Sequence, residues 1–175
     1  SVLREKISTL SNVEHGVQTE NTNNESIEIL GQITWLWINS PLQKDWPTHL
    51  LGTNAIPAIA HRQFLLLKQN GLPVAYCSWA FLDSSAEKRY LADAHSLTLA
   101  DWASGERMWL VDWVAPFGHS FALYRQMRAR FPDAIARAIR VDAEKKTARV
   151  QEIIGKKASR KEAAKKFKQY FEEVV

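Results

Sequence analysis

An aspartate surrounded by hydrophobic residues is the first feature of this sequence that points to chemistry. Asp112 stands inside the segment Met108–Val114, whose other six residues are all apolar. A carboxylate among apolar side chains destabilises the fold unless it is paired or its pKa shifts. No neighbour in the segment is able to pair with it, so we expect a partner from elsewhere in the chain and a role in chemistry. The alternative is a structural aspartate at a strand end or bulge that caps a backbone group, and the segment alone leaves both open.

The composition is that of one globular domain with a substantial core. The chain has 175 residues, of which 46% are hydrophobic and 24% are charged, as in ordinary soluble domains. Its seven tryptophans predict either a thick core or a groove for an apolar ligand. The single cysteine, Cys77, has no internal disulfide partner, which indicates a reducing compartment. We expect no integral membrane segment and no secretory signal, because no stretch has the necessary length and hydrophobicity.

The charge pattern favours an acidic partner. The formal net charge is +4, and lysine and arginine concentrate in residues 156–168. We interpret this segment as the solvated face of a helix and expect no nucleic-acid partner, because the recognisable nucleic-acid-binding motifs are absent. The sequence also has no metal-ligand spacing and no glycine-rich loop for phosphate.

Residues 1–26 are predicted to form an arm outside the main domain, which we place at residues 27–175. The segment Gln18–Glu25 is polar and rich in asparagine, and such a composition does not bury a core. The segment Leu3–Leu10 has the pattern of a short helix. The arm is therefore expected to become ordered only by packing against something else.

Hydrophobic periodicity within residues 27–175 predicts a mixture of helices and strands. The clearest element is a hairpin, because Asn70-Gly71 separates two apolar runs. The other predicted elements are helices at Ile27–Asn39, after Pro47, at Ser120–Arg130 and at Ser159–Glu173, strands at Gln63–Lys68, Pro73–Ala80, Trp109–Val114 and Thr147–Ile153, and a helix or loop at Ser84–Tyr90. This order favours a single domain of the α/β or α+β class, with a central, mostly antiparallel sheet flanked by helices.

A series of short segments recurs, in the same order, in a known protein family. They are Trp35-Leu36-Trp37, Ser40-Pro41-Leu42, Val74–Ala80, Asp101-Trp102, Ser104-Gly105, Asp112–Gly118 and Arg137–Asp142. On these segments the chain closely resembles the RTX toxin-activating lysine acyltransferases of the hemolysin C type, from about Ile29 to the C-terminus.

The resemblance implies a GNAT-like fold and an enzyme of the bacterial cytoplasm. Members of this family take a fatty acyl group from acyl carrier protein and attach it to internal lysine side chains of an RTX protoxin, which makes the toxin membrane-active. No cofactor is implied besides the acyl-carrier donor, and a homodimer is allowed because dimers occur in the family. Acyl carrier protein is strongly acidic, so a positively charged surface would favour the encounter.

The resemblance also implies roles for single residues. Asp112 corresponds to an aspartate tied to catalysis in the family, and Ser40 corresponds to a serine with a supporting role. Trp35, Trp37 and Trp113 are candidates to line an acyl groove.

Some further residues match positions of the family, but their roles have more than one interpretation. Arg140 and Lys156 are candidates to bind the carrier protein, although an ion pair between Arg140 and Asp142 explains that arginine equally well. Lys156 stands where the family usually has a second glycine, so the turn after Gly155 is expected to differ. Structural support is the expected role of Gly155 and Tyr170.

The chain departs from the family at residue 43, where Gln43 replaces a histidine tied to catalysis. A lysine amine is protonated at neutral pH and must lose a proton before it attacks a thioester. An amide does not titrate, although it donates and accepts hydrogen bonds. Three interpretations stay open: a substitution that traps an inactive enzyme, a diverged enzyme with another base, or a relative that binds without turnover.

The sequence does not assign a replacement base. Asp112 is one candidate if burial raises its pKa. The chain has five histidines, and for each of them a surface or partly hydrogen-bonded role is the simpler interpretation: His15, His49, His61, His95 and His119. Cys77 lies in an apolar run, which predicts core packing rather than nucleophilic chemistry.

Three functions follow, in order of preference. The first is a protein-lysine fatty acyltransferase that uses acyl carrier protein and acts on an RTX protoxin. The second is an impaired or inactive relative that binds the acyl carrier or the protoxin, and it depends on Gln43. The third is a basic interaction module for nucleic acid or an anionic membrane, and it depends on the C-terminal lysines alone.

Overall fold

The computed structural model of the chain describes residues 22–142 and 144–174, so the predicted helix at Leu3–Leu10 lies outside the described residues. The helices are α1 (Thr22–Ile38), α2 (His49–Asn54), α3 (Ile56–His61), α4 (Ser84–Ala92), α5 (Ser120–Arg130) and α6 (Arg160–Val174), with a short 3-10 helix at Ala100–Trp102. The strands are β1 (Phe64–Gln69), β2 (Leu72–Leu82), β3 (Arg107–Val114), β4 (Ile135–Asp142) and β5 (Thr147–Ile154). Among the described helices, none combines the length and the apolar composition that crossing a membrane requires.

The strands form one sheet in the order β1-β2-β3-β4-β5. Neighbouring strands are antiparallel except β3 and β4, which are parallel. The parallel pair requires a crossover connection, and α5 supplies it between β3 and β4. The expected α+β domain with a mostly antiparallel sheet flanked by helices is confirmed, and it is consistent with a GNAT-like fold.

The predicted hairpin between β1 and β2 is confirmed. Asn70 and Gly71 have φ angles of 50° and 79°, and a two-residue turn that matches the twist of a hairpin needs positive φ at both positions. The strands then pair from Gln69 with Leu72 upwards along the sheet. A local signal of two residues therefore decides this part of the topology.

Strand β4 is the element that the periodicity did not predict. Arg137 and Arg140 interrupt the apolar alternation of its sequence, and such a pattern is not typical of a buried strand. Arg137 is nevertheless 7% exposed, because it forms an ion pair with Glu87 of α4. A contact between distant parts of the chain thus permits a strand that the local pattern conceals.

The remaining helices differ from the sequence predictions only in detail. The predicted helix after Pro47 is α2, and the short helix α3 that follows it, with Pro57 in its first turn, was not predicted. The segment left open as helix or loop is the helix α4. It begins after Asp83, whose side chain accepts a hydrogen bond from the backbone N–H of Ala86 at 2.7 Å, as expected of an N-cap.

Strand β2 lies at the centre of the core and is buried on both of its faces. Cys77 and Trp79 contact the face that is covered by α5, whereas Tyr76 packs with α1 and α2 on the opposite face. Successive side chains of a strand point to opposite faces, so both sets are largely apolar, and Ser78 is the buried polar residue between them. Cys77 is fully buried and its pKa is raised by burial, as expected of a core residue.

The sheet opens on one side of its centre. Strands β3 and β4 pair only over Met108–Leu110 and Ala136–Ala138. The register between β2 and β3 shifts at Val111, which is an extra residue in β3 and forms a β-bulge. Residues 111–114 and 139–142 continue as strands without pairing with each other, and we call this gap the β3–β4 opening.

Gly155, which follows β5, is required by a close approach of two backbone segments. A Cβ atom at this position would lie 2.4 Å from the carbonyl oxygen of Pro132. We therefore expect Gly155→Ala to lower the free energy of unfolding by about 1–3 kcal/mol through overpacking. Gly31→Ala is the matched control, because a Cβ there meets nothing within 4 Å and alanine favours a helix interior by about 0.5–1 kcal/mol. Urea unfolding measures both changes, and a Gly155→Ala protein as stable as the parent would contradict the close contact.

Candidate active site

Asp112 is a buried carboxylate, 4% exposed, whose two oxygens both accept hydrogen bonds. The indole N–H of Trp37 donates to Oδ2 at 2.9 Å, and the side-chain amide of Gln43 donates to Oδ1 at 2.9 Å. The backbone N–H of Trp113 also donates to Oδ1, at 3.1 Å. The expectation of a partner from elsewhere in the chain is confirmed, and these partners are neutral donors rather than cations.

The end of α1 and the turn that follows it bring the donors to the carboxylate. Trp37 lies in the last turn of α1, and the backbone N–H of Ser40 donates to the carbonyl oxygen of Trp37 at 3.1 Å. The Ser40 hydroxyl donates to Oε1 of Gln43, while Nε2 of the same amide donates to Asp112. An ionised carboxylate accepts hydrogen bonds and donates none. This orientation of the Gln43 amide therefore gives the Ser40 hydroxyl, the amide and the Asp112 carboxylate a partner each.

The bulge at Val111 decides which face of the sheet receives Asp112. In a regular strand, residues 110 and 112 would point to the same face. The extra residue breaks this alternation, so Leu110 packs with α5 on one face while Asp112 reaches Trp37 of α1 on the other. The alternative of a structural aspartate beside a bulge was therefore also correct in part, because Asp112 accepts the next backbone N–H.

Burial brings the pKa of Asp112 close to neutral pH. Desolvation raises the pKa of Asp112 to about 6, although the hydrogen bonds from Gln43, Trp37 and Trp113 act in the opposite direction. The group is ionised at pH 7 and close to its titration range. A carboxyl group with this property in a cleft is suited to binding a cation or to exchanging a proton.

A cleft opens to solvent beside Asp112, at the β3–β4 opening. Its volume is about 170 Å³, and its walls come from the turn after α1, from α4 and the following loop, and from both strands. Its titratable groups are Tyr90, His95, Asp112 and Arg140. Aromatic and aliphatic side chains supply much of the remaining wall, including Trp46, Trp113 and Ile139.

The structure brings five of the predicted site residues together. Ser40, Gln43 and Asp112 form one hydrogen-bonded chain, and Trp113 and Arg140 line the same cleft. Nε of Arg140 donates to the side chain of Gln151 at 2.6 Å. Within the described residues no carboxylate lies within ion-pair distance of Arg140, so the alternative pair with Asp142 is absent there.

Three other predicted residues do not line the cleft. Trp37 is buried and serves as a hydrogen-bond donor to Asp112, whereas Trp35 is 49% exposed on α1. Residues two positions apart on a helix point in very different directions, and tryptophan density alone does not distinguish them. Lys156 is exposed beyond the end of β5 that pairs with the start of β4, while the cleft lies at the other end of β4.

One histidine of the described residues lines this cleft. It is His95, in the loop after α4, and no sequence pattern distinguished it. His61 contacts the carbonyl oxygen of Leu99 at 2.7 Å, His119 contacts Gln69, and His49 is exposed. Among residues 22–142 and 144–174, His, Cys, Asp and Glu side chains form no group of three or more that would hold a metal ion.

A buried ion cluster, also absent from the sequence predictions, holds the closed end of the β3–β4 opening. Glu87 of α4 is fully buried and accepts a hydrogen bond from Arg107 of β3 at 2.6 Å. It also pairs with Arg137 of β4 and accepts the indole N–H of Trp109 at 2.8 Å. The cluster therefore connects the two strands where they are still paired.

The C-terminal helix completes the ion cluster. Glu173 of α6 pairs with Arg107. The ring of Tyr170 lies 4.5 Å from the guanidinium carbon of Arg107 and 5.2 Å from that of Arg137. These cation–π contacts support the structural role expected for Tyr170.

Comparison with known proteins gives a consistent result over most of the chain. Residues 22–154 match the profile of the HlyC family, described as the RTX toxin acyltransferase family. The chain is 48% identical over 148 residues to the RTX-I toxin-activating lysine-acyltransferase ApxIC of Actinobacillus pleuropneumoniae, covering 85% of this chain and 86% of that protein. It is 48% identical over 152 residues to the protein-lysine myristoyltransferase HlyC of Escherichia coli, covering 87% and 89%. It is 48% identical over 154 residues to the leukotoxin-activating lysine-acyltransferase LktC serotype A11 of Mannheimia haemolytica, covering 87% and 92%.

Proposed function

The chain belongs to the RTX toxin acyltransferase family, and on this premise we propose that it is a protein-lysine fatty acyltransferase. It moves a fatty acyl group from acyl carrier protein to the ε-amine of lysine side chains in an RTX protoxin. The names of the relatives, lysine acyltransferase and myristoyltransferase, support the reaction class. The reaction takes place in the bacterial cytoplasm and uses no cofactor besides the acyl donor.

The observation that carries the proposal is the uncompensated charge of Asp112 beside an open cleft. Its three hydrogen-bond donors are neutral, so the carboxylate is held in place without a counter-charge. A lysine ammonium that enters the cleft supplies that charge and is desolvated in the process. The site is therefore suited to a cationic acceptor, which is the form of lysine at neutral pH.

The transfer then follows the general chemistry of a thioester and an amine. The ammonium loses a proton, and the free amine attacks the carbonyl carbon of the thioester. The carbon–sulfur bond breaks, an amide forms and the carrier leaves as a thiol. Asn54 is 4% exposed and lines the cleft, so its amide is the candidate donor to the oxyanion of the intermediate.

The β3–β4 opening suits the arm that carries the acyl group. Residues 111–114 and 139–142 leave backbone N–H and C=O groups unpaired between the two strands. The phosphopantetheine arm of an acyl carrier protein contains amide groups, which pair with such strand edges as a peptide does. Arg140, which lines the opening without a carboxylate partner among the described residues, is suited to the phosphate group of the arm.

Helix α5 offers the surface on which the acidic carrier would dock. It carries three arginines and no carboxylate in its 11 residues. Phe121 is 69% exposed and lines, with Tyr124, a groove that includes Trp113 and Arg140 of the Asp112 cleft. Exposed aromatic rings beside arginines that form no ion pair with any other described residue fit a partner that is acidic and partly apolar.

We expect Arg125→Glu to raise the KM for acyl carrier protein about tenfold at low salt, because the reversed charge repels an acidic partner. Arg125 is exposed on α5, with its guanidinium carbon 5.3 Å from the centre of the Phe121 ring. Lys161→Glu on α6 is the control, because it reverses an exposed charge on another helix. Steady-state rates of transfer at several salt concentrations measure the KM of both variants. Equal changes in KM would mean that acyl carrier protein does not dock on α5.

Intact mass of an RTX protoxin fragment, incubated with acyl carrier donor and this protein, tests the proposed function. We expect a gain of fatty acyl mass that tandem mass spectrometry assigns to lysine side chains. Gln43→His is measured beside the parent. A gain with the variant alone would make the parent an impaired relative that binds without turnover, and no gain with either protein would reject the acyltransferase. The homodimer stays a prediction, which analytical ultracentrifugation checks.

A further inference from the structure

The cleft needs a group that accepts the proton of the incoming lysine, and few of its residues are chemically suited. Gln43 contacts Asp112 but carries no titratable group. Burial raises the pKa of the Tyr90 hydroxyl, which therefore stays protonated at neutral pH. The guanidinium of Arg140 has no accessible neutral form. The titratable groups left on the cleft wall are Asp112 and His95.

Asp112 is the weaker of these two as the final proton acceptor. Its oxygens are surrounded by three N–H donors and it is 4% exposed. A proton on one oxygen would replace an acceptor by a donor among groups that need acceptors, which leaves a buried donor without a partner. The carboxylate is therefore better suited to stay ionised and to hold the lysine in place.

His95 lines the same cleft as Asp112 and is connected to it by a row of ring contacts. Its ring packs edge-on against Trp46 at a centroid distance of 5.3 Å, and Trp46 packs in the same way against Trp37 at 5.2 Å. Trp37 in turn donates to Asp112. These contacts hold the imidazole against the wall of the cleft that Asp112 also lines.

The His95 imidazole is also free to exchange protons. The residue is exposed at the cleft mouth, and within the described part of the chain its ring nitrogens make no hydrogen bond. Its backbone N–H donates to Asp93 at 2.9 Å, which anchors the loop without using the ring. An imidazole whose ring nitrogens are free is able to accept a proton from a bound amine and to pass it to a leaving group.

We propose that His95 is the general base of this chain, an inference that rests on the proposed acyl transfer. The ammonium held by Asp112 transfers a proton to a ring nitrogen of His95. The amine then forms its bond to the thioester carbon as the carbon–sulfur bond breaks. The imidazolium returns the proton to the departing thiolate, which leaves as a thiol, so protons and charge balance without a further reactant.

The test uses the full chain, an acyl carrier donor and a protoxin fragment, with four proteins in a double-mutant cycle. These are the parent, His95→Asn, Gln43→His, and the double variant. We expect His95→Asn to lower the rate of transfer by about 10²- to 10⁴-fold, as for other general bases. Gln43→His should restore most of the lost rate in the double variant, because an imidazole at residue 43 stands beside the same carboxylate.

Each result of the cycle has a distinct meaning. An unchanged rate for His95→Asn would overturn the proposal and make Asp112 the acceptor. A loss that Gln43→His does not repair would also overturn it, because it would indicate a structural role for the ring beside Trp46. If Gln43→His transfers the acyl group and the parent does not, His95 is rejected as general base and the parent is an impaired relative that binds without turnover. No transfer by any of the four proteins would reject the acyltransferase function itself.

Two controls separate chemistry from folding. His49→Asn removes a histidine that is exposed outside the cleft and should leave the rate unchanged. Thermal unfolding of His95→Asn should match that of the parent, because its side chain is exposed and its ring packs against Trp46 at the surface. A shared loss of rate in His49→Asn and His95→Asn would contradict the assignment of His95.

Discussion

Asp112→Asn is expected to lower acyl transfer by about 10²- to 10⁴-fold while the protein stays folded. Asparagine has the same shape but no charge, so the cleft loses the group that attracts the lysine ammonium. Initial rates with acyl carrier protein and a protoxin fragment measure the effect. Asp45→Asn, an exposed position in the turn after α1, is the control and should keep the parental rate. Near-normal transfer by Asp112→Asn would reject the role of this carboxylate.

The same substitution should change how stability depends on pH. The pKa of Asp112 is raised from 3.8 to about 6 in the folded protein. Between these values the folded state holds a proton that the unfolded state has released, so the free energy of unfolding falls as the pH rises from about 4 to about 6. At about 1.4 kcal/mol per unit, the buried charge lowers stability by about 3 kcal/mol at neutral pH. Urea unfolding of Asp112→Asn across this range should lack that decrease, and an identical pH profile for both proteins would contradict it.

The activity of the parent should fall as the pH drops through about 6, because protonated Asp112 no longer binds a cation. This acid limb concerns the carboxylate in its cleft, where Tyr90, His95 and Arg140 are the other titratable groups. The pH dependence of the parental activity is therefore compared with that of His95→Asn. The residual activity of this variant should keep the part of the decrease at acid pH that comes from protonation of Asp112. Rates measured from pH 5 to pH 8 would separate the two groups.

Glu87→Gln is expected to destabilise the protein by about 3–5 kcal/mol, as when one partner of a buried ion pair is removed. Glu87 is fully buried and is the carboxylate partner of Arg137 among the described residues. Glutamine keeps the shape but leaves the guanidinium of Arg137 without a counter-charge. Burial already lowers the pKa of Arg137 from its ordinary value, which indicates that its charge is unfavourably placed.

Urea unfolding of Glu87→Gln beside Glu106→Gln tests this expectation. Glu106 is exposed, and its replacement should change stability by less than about 0.5 kcal/mol. If Glu87→Gln loses no more stability than Glu106→Gln, the ion cluster contributes little to the free energy of unfolding. Since Arg107 of the cluster also pairs with Glu173, Glu87→Gln should leave α6 attached to the sheet, and circular dichroism below the transition should stay unchanged.

Local patterns in the sequence determined much of the fold. Asn70-Gly71 predicts its hairpin because both residues tolerate positive φ, and this depends on two neighbouring residues alone. The helix Ser120–Arg130 was predicted with the bounds that the structure has, because its apolar residues repeat at helical spacing. Asp112 was predicted as a candidate site residue for a similar reason, since an isolated charge in an apolar strand destabilises the fold unless it is paired or its pKa shifts.

Contacts between distant segments decided what the sequence left open. Trp37 and Gln43 lie 75 and 69 residues before Asp112, and no local pattern states that both donate to it. The bulge at Val111 turns Asp112 to the side of α1, although strict alternation would have placed it with Leu110. Hydrogen-bond partners of this kind depend on the register of strands, which is set by the whole sheet.

The buried charges also show what a local sequence pattern does not determine. Arg137 interrupts the apolar pattern of β4, and only its ion pair with Glu87, 50 residues earlier, makes a buried strand possible. His95 resembles any exposed histidine in the sequence, and it gains a chemical role only because α4 ends beside the β3–β4 opening. Periodicity is a property of neighbours along the chain and determines helices and strands. The pairing of charges and the walls of a cleft depend on neighbours in space, which only the tertiary structure specifies.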